Sequence, residues 1–157
     1  MTSELKWTSQ PFSQFTLHSL YEVLQLRQRV FVVEQASIYL DLDDLDQDSW
    51  HLLGRDHTGQ LQAYARLMPP TIKYADAVGI GRVVIAPELR GQGWAKPLLQ
   101  QALEWAEQQF SGVPVRLSAQ IDRQGLYAAF GFQCCSAPYD DGGIAHIEMV
   151  RERLGNA

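Results

Sequence analysis

The segment Arg82-Val83-Val84-Ile85-Ala86-Pro87-Glu88-Leu89-Arg90-Gly91-Gln92-Gly93-Trp94-Ala95-Lys96 leads from a predicted strand through a glycine loop into a predicted helix. The first turn of a helix has backbone N–H groups without partners, and the helix dipole adds positive charge there. Glycine lets the backbone approach a bulky anion because no Cβ stands in the way. The segment therefore predicts a phosphate site flanked by Arg90 and Lys96, although a plain strand-to-helix turn remains the alternative. Its spacing is neither that of a Walker A loop nor that of a Rossmann fingerprint.

Apolar periodicity on both sides of this segment predicts the other elements. A helix is expected over residues 16–33, and a second helix over 95–110, because apolar residues recur there at steps of three and four. Strands are expected over residues 50–53, 60–68, 78–86, 115–119, 132–135 and 145–150, with a short helix over 124–130. This order of elements indicates an α/β fold whose sheet has antiparallel and parallel parts.

Composition and charge narrow the class of protein. The 157 residues suit one domain, and 13 Lys and Arg against 18 Asp and Glu give a net charge of −5, which disfavours nucleic acid as the main partner. We expect no secretory signal and no membrane span, since no apolar run has the required length. Cys134 and Cys135 are adjacent, so they do not form a disulfide framework, and a reducing cytoplasm is the expected location. The histidines show no metal-ligand spacing, so we expect no metal site.

Several short motifs carry a resemblance to a known family. The run Arg90-Gly91-Gln92-Gly93-Trp94-Ala95 resembles the Q/R-x-x-G-x-G/A signature of the GNAT acyltransferase superfamily, and Leu126-Tyr127-Ala128-Ala129-Phe130-Gly131-Phe132 resembles its later LY-x-x-x-GF motif. Further stretches look like the ElaA-like branch: residues 26–35, 63–67 and 146–149. The resemblance runs from about residue 7 to 152. It implies a single GNAT domain over residues 1–157, with a mixed, mostly antiparallel central sheet flanked by helices.

The resemblance also implies an activity. The protein would be an N-acetyltransferase that moves an acetyl group directly from acetyl-CoA, its cosubstrate, to a primary amine on a small molecule or peptide. A homodimer is possible in such folds. Two other interpretations stay open: a non-catalytic module that binds or senses acyl-CoA, and a structural partner subunit with the same fold.

The coenzyme site is expected along the strand and loop quoted above. By resemblance, the main chain of Val83, Val84 and Ile85 binds pantetheine and the acetyl oxygen, while their side chains belong to the core. Gln120 stands where many relatives have an asparagine, seven residues before the motif tyrosine, and is expected at the pantetheine. The expected pyrophosphate contacts are Arg90, Gly91, Gln92, Gly93, Trp94, Ala95 and Lys96.

Candidate catalytic residues are Tyr127, Glu34, His146 and Glu148. Tyr127 matches the tyrosine that acts as general acid in many relatives, but it is also a plausible packing residue. Glu34 shares a helical face with Arg27 at seven-residue spacing, and either residue can pair within the fold or project into the cleft. His146 and Glu148 alternate with apolar residues on the last predicted strand, so one can be the base and the other can orient it. A solvent-facing polar row is the alternative.

An acidic stretch precedes the first predicted strand. Residues 41–48 contain Asp41, Asp43, Asp44, Asp46 and Asp48, which predicts a loop. Such a cluster can attract a cationic amine to the cleft. The competing interpretation is structural, because aspartates suit loops and helix caps through hydrogen bonds to the backbone.

Overall fold

A mixed eight-stranded sheet forms the centre of the computed structural model, which describes residues 4–152. The strands are β1 (Lys6–Pro11), β2 (Trp50–Arg55), β3 (Leu61–Met68), β4 (Val78–Ile85), β5 (Val115–Gln120), β6 (Gln133–Cys134), β7 (Tyr139–Asp141) and β8 (Ile144–Arg151). Their order is β1-β2-β3-β4-β5-β8-β6, and β7 also pairs with β8. The pair β4–β5 is parallel and the other pairs are antiparallel, which confirms the predicted sheet. Residues 1–3 and 153–157 of the predicted domain lie outside the described residues.

Helices cover both faces of this sheet. They are α1 (Leu17–Arg27), α2 (Ala95–Gln109) and α3 (Gln124–Ala128), with a π-helical segment at Gln28–Glu34 and short 3₁₀ turns at Phe12–Gln14, Asp46–Asp48, Pro87–Leu89 and Ile121–Arg123. Neighbouring residues of a strand point to opposite faces. Leu52 of β2 packs in the apolar cluster that contains α2, whereas Leu53 packs in the cluster that contains α1. The two helices therefore lie on opposite faces of the sheet.

The first predicted helix is corrected in its second half. Residues 16–33 were expected to form one α-helix, but the α-helix ends at Arg27 and the π-helical segment follows it. Thr16 caps α1, since its hydroxyl accepts a hydrogen bond from the Ser19 N–H at 3.0 Å. The wider π turns rotate the later residues, so Arg27 and Glu34 do not share a face as predicted. Arg27 is fully buried, and Glu34 is exposed at the end of the segment.

Two strands were absent from the sequence prediction. The sequence of edge strand β1 does not alternate regularly between apolar and polar residues. Its hydrogen-bonded pairing with β2 identifies it as a strand. The three residues of β7 are exposed and polar, and their pairing with β8 defines the strand. Both elements depend on a partner strand and not on a local apolar pattern.

Candidate active site

Strands β4 and β5 separate halfway along their length. Their parallel pairing stops at Ile80 and Leu117. At the same point β4 has a bulge, in which Arg82 and Val83 lie opposite the single residue Ala65 of β3. Arg82 has a φ of +50°, a conformation that side-chain-bearing residues rarely adopt. A bulge bends its strand, so the second half of β4 diverges from β5 and leaves its main chain unpaired on that side.

A cavity of about 360 Å³ occupies the gap between the two strands. All but three of the predicted site residues line it: Glu34, Val83, Val84, Ile85, Arg90, Gly91, Gly93, Trp94, Ala95, Gln120, Tyr127 and His146. The exceptions are Gln92 and Lys96, which are exposed beside the glycine loop, and Glu148. Sequence reasoning missed eight polar residues in the lining: Gln35, Ser37, Tyr39, Lys73, Arg82, Ser118, Arg123 and Asp141. Only Lys73, one of three lysines in the chain, carried a compositional signal.

The glycine loop forms one end of this cavity. Gly91 and Gly93 have φ values of +78° and +84°, and a Cβ added at either position would meet no atom within 4 Å. Helix α2 starts directly after the loop, and its N-cap residue Trp94 makes no side-chain capping bond. The free N–H groups of the first turn, the positive helix end and the open space above the glycines fit a phosphate group.

Tyr127 borders the same cavity from α3. Its side chain is 7% exposed, and its ring packs edge-on against Phe132 with centroids 6.1 Å apart. Burial raises the pKa of the Tyr127 hydroxyl. Tyr127 is therefore both a packing residue and a protonated hydroxyl at the cavity wall.

His146 is held in one tautomer by its own strand. Its Nδ1 lies 2.7 Å from the carbonyl oxygen of Ile144. A carbonyl oxygen only accepts hydrogen bonds, so in the neutral ring Nδ1 carries the proton and Nε2 keeps a lone pair. His146 lines the cavity, which makes Nε2 the atom available to take a proton.

The carboxylate of Glu148 forms hydrogen bonds with residues other than His146. Its carboxylate accepts hydrogen bonds from the hydroxyls of Tyr74 at 2.8 Å and Tyr139 at 2.7 Å, and from Arg116 Nε at 3.2 Å. Within residues 4–152 no hydrogen bond joins it to His146. The prediction that Glu148 orients His146 is therefore wrong, because the Ile144 carbonyl does so. Glu148 reaches the cavity only indirectly, since the Tyr139 hydroxyl also bonds to that of Ser118.

The comparisons with known proteins agree on one family. The family described as Acetyltransferase (GNAT) domain matches residues 18–153. The chain belongs to the GNAT acetyltransferase family. Protein ElaA of Escherichia coli is 38% identical over 94% of this chain and 97% of its own length, and a UPF0039 protein of Synechocystis sp. is 40% identical over 94% and 95%. The resemblance to the ElaA-like branch is thereby confirmed.

Solved structures place the fold in the same family. A crystal structure of an acyl-CoA N-acyltransferase from Pseudomonas aeruginosa matches with a TM-score of 0.88 and 42% identity, covering 94% of this chain and 99% of that one. The crystal structure of Escherichia coli ElaA matches with a TM-score of 0.87 and 37% identity over the same shares. This GNAT chain is therefore an acyltransferase whose family uses acyl-CoA as cosubstrate, and its fold implies a small-molecule acceptor.

The acidic stretch of this GNAT domain is occupied by buried arginines. Asp41 and Asp46 bind Arg27 at 2.9 and 2.8 Å, and Asp43 binds Arg66 through both oxygens at 2.7 and 2.9 Å. The sequence left two interpretations of Arg27, pairing within the fold or projection into the cleft. The structure shows that Arg27 pairs within the fold. Three of the five aspartates are thus neutralised, which supports the structural interpretation of this stretch over the attraction of a cationic amine.

The same network holds the β4 bulge. Arg82 forms ion pairs with Asp41 at 2.7 Å and with Asp43 at 3.3 Å. Burial by itself would raise the pKa of Asp43, but the hydrogen bonds and charge of Arg66 lower it to about 2. Two aspartates of the loop therefore anchor the strained residue at which β4 leaves β5.

Glu34 reaches the glycine loop of the GNAT domain. Its carboxylate accepts a hydrogen bond from Arg90, and both side chains are partly exposed at the cavity. The pair connects the end of the π-helical segment to the predicted phosphate site.

None of the helices within residues 4–152 is long and apolar enough to cross a membrane. The same residues contain no group of three or more His, Cys, Asp or Glu side chains placed to hold a metal ion.

Proposed function

We propose that this GNAT protein transfers the acetyl group of acetyl-CoA directly to a primary amine. The observation that supports the proposal is a single cavity that joins the unpaired edge of β4, the glycine loop before α2, and the side chains of Tyr127 and His146. We also propose that residues 1–157 form one domain that acts in the cytoplasm and that can assemble as a homodimer.

The coenzyme would lie along the divergent strand. The glycine loop offers its N–H groups to the pyrophosphate, with Gln92 and Lys96 at the outer side of the loop. The main chain of residues 83–85 is available to pantetheine and to the acyl carbonyl oxygen, and Gln120 lies across the gap on β5. Because Arg90 is paired with Glu34, it would exchange that carboxylate for a phosphate when coenzyme binds.

The amine must lose a proton to attack the thioester. His146 Nε2 is the base we propose, since its lone pair accepts no hydrogen bond within residues 4–152 and Nδ1 donates to the Ile144 carbonyl. Glu34 is the second candidate, and it would become available only after Arg90 turns to the phosphate. Glu148 would act through Tyr139 and Ser118 and does not contact the acceptor.

Attack by the amine nitrogen forms a C–N bond and breaks the C–S bond of the thioester. Backbone N–H groups of β4 would stabilise the negative charge that develops on the carbonyl oxygen. The departing sulfur needs a proton, and the Tyr127 hydroxyl is protonated and lies on the cavity wall. The products are an acetylated amine and coenzyme A with a free thiol.

An unbiased acceptor screen with labelled acetyl-CoA, read by label transfer and by free thiol, tests the proposal. We expect thiol release that depends on the presence of an amine. Coenzyme binding without thiol release across the panel would favour the binding or sensing module. A coenzyme Kd weaker than about 1 mM would favour a structural subunit.

A further inference from the structure

Lys73 lies at the end of the cavity that is remote from the glycine loop. It belongs to the connection between β3 and β4, so it precedes the first residue of β4, whereas the glycine loop follows the last. An eight-residue strand spans about 25 Å. Lys73 therefore borders the cavity on the side left for the acceptor once the coenzyme phosphates occupy the loop.

Lys73 forms no ion pair within residues 4–152, and the charges of Glu148 and Asp141 act on it from beyond 4 Å. Its ammonium lies 5.6 Å from the ring centroid of Tyr74, and the described residues place no carboxylate within 4 Å of it. Among the arginines of the cavity wall, Arg82 pairs with two aspartates and Arg90 pairs with Glu34. Arg123 follows the last residue of β5, the parallel neighbour of β4, so it lies toward the glycine loop and away from Lys73. An unpaired ammonium on the wall of a cavity suits an anionic group of a ligand.

Asp141 provides an unpaired charge of opposite sign in the same cavity. It ends β7 and lines the cavity, and no cation of residues 4–152 lies within 4 Å of its carboxylate. Its charge acts on Lys73, so the two groups share one region without touching. Strand β7 pairs with β8 such that Tyr139 lies opposite His146 and Asp141 lies opposite Ile144. An ammonium drawn to Asp141 would therefore come close to the proposed base.

We propose that the acceptor is an amino acid or a similar small amine with a neighbouring carboxylate, which Lys73 binds while Asp141 attracts the amino group toward His146. This inference rests on the proposed function and names the substrate class of the same site. A purely cationic acceptor finds less support, because the aspartates at 41, 43 and 46 are neutralised by arginines.

Matched acceptors test the inference directly. A panel of amino acids and the corresponding amino acid amides keeps the amine and the side chain and removes only the carboxylate charge. We expect the wild type to use the acids with at least tenfold higher kcat/KM than the amides. Equal use of both, or preference for the amides, would overturn the inference.

Variants of Lys73 assign the effect to its charge. Lys73→Met should raise KM for the acids at least tenfold and reduce the preference for acids over amides, whereas Lys73→Arg should keep most of that preference. Lys6→Met, on the edge strand β1, is the matched control and should behave as wild type. An equal loss of kcat/KM for acids and amides in Lys73→Met would contradict the assignment. Acylation of Lys73 itself in the wild type, in place of the acids, would also contradict it.

Calorimetry separates this inference from the proposed function. Amino acids are titrated into the protein loaded with coenzyme A, with wild type and Lys73→Met in parallel. If no acceptor is acylated but acids bind tenfold more weakly to Lys73→Met, the function fails and the carboxylate site stands. If no amino acid binds the wild type, the site is refuted whatever the turnover with other amines.

Discussion

Gly93 and Gly59 form a matched pair for testing the phosphate loop. Their φ values are +84° and +86°, and a Cβ at either position would meet no atom within 4 Å. Gly93 lines the cavity, whereas Gly59 lies in the exposed turn between β2 and β3. Valine at these two sites therefore imposes the same backbone strain and differs only in what its methyl groups approach.

The expected magnitudes follow from this geometry. A residue with a Cβ in the left-handed region costs about 1–2 kcal/mol. For a chain of this size 1 kcal/mol corresponds to roughly 2–4 °C, so both variants should unfold about 2–8 °C below wild type. At Gly93 the branched side chain also enters the space above the loop, and coenzyme affinity should fall at least tenfold, which is about 1.4 kcal/mol.

Thermal unfolding and calorimetric titration with coenzyme A measure the two effects separately. Gly59→Val should lose stability and keep wild-type affinity, and Gly93→Val should lose both. A folded Gly93→Val protein with wild-type affinity would refute the phosphate loop. An equal loss of affinity in Gly59→Val would show that the effect arises from stability and not from the loop.

Three further substitutions test the chemistry and the buried ion pairs. Tyr127→Phe keeps the packing ring and should lower kcat by about 10²–10⁴-fold with unchanged coenzyme Kd, and a wild-type kcat would leave Tyr127 a packing role only. His146→Gln should lower kcat by a similar factor at saturating acceptor, and an unaffected rate would exclude His146 as the base. Asp43→Asn should lower the free energy of unfolding at pH 7 by about 2 kcal/mol, because the folded pKa of about 2 lies below the ordinary 3.8. The difference in unfolding free energy between Asp43→Asn and wild type should vanish as the pH falls from about 5 to 2. The exposed control Asp44→Asn should change the unfolding free energy little. Denaturant titrations across this pH range measure both differences.

Local sequence patterns were sufficient for the elements that carry the coenzyme loop. The strand before the loop, the pair Gly91 and Gly93, and the helix after it are encoded within about 30 neighbouring residues, where apolar spacing and glycine act directly on the backbone. The predicted second helix, residues 95–110, differs by one residue from α2. For the same reason most of the predicted coenzyme contacts line one cavity.

Only the tertiary structure decided how the acceptor side is built. Arg27 on α1 pairs with Asp41 and Asp46, and Arg66 on β3 pairs with Asp43. The partners are 14 or more residues apart, so no local periodicity in the sequence predicts these contacts. The same holds for His146, whose tautomer depends on the backbone of Ile144, and for Glu148, whose tyrosine partners come from distant segments. The sequence by itself determined the glycine loop and the strand and helix beside it, because these depend on neighbours along the chain. Tertiary structure decided which charges were neutralised inside the fold and which were left for a substrate, because ion pairing depends on distances between residues far apart in sequence.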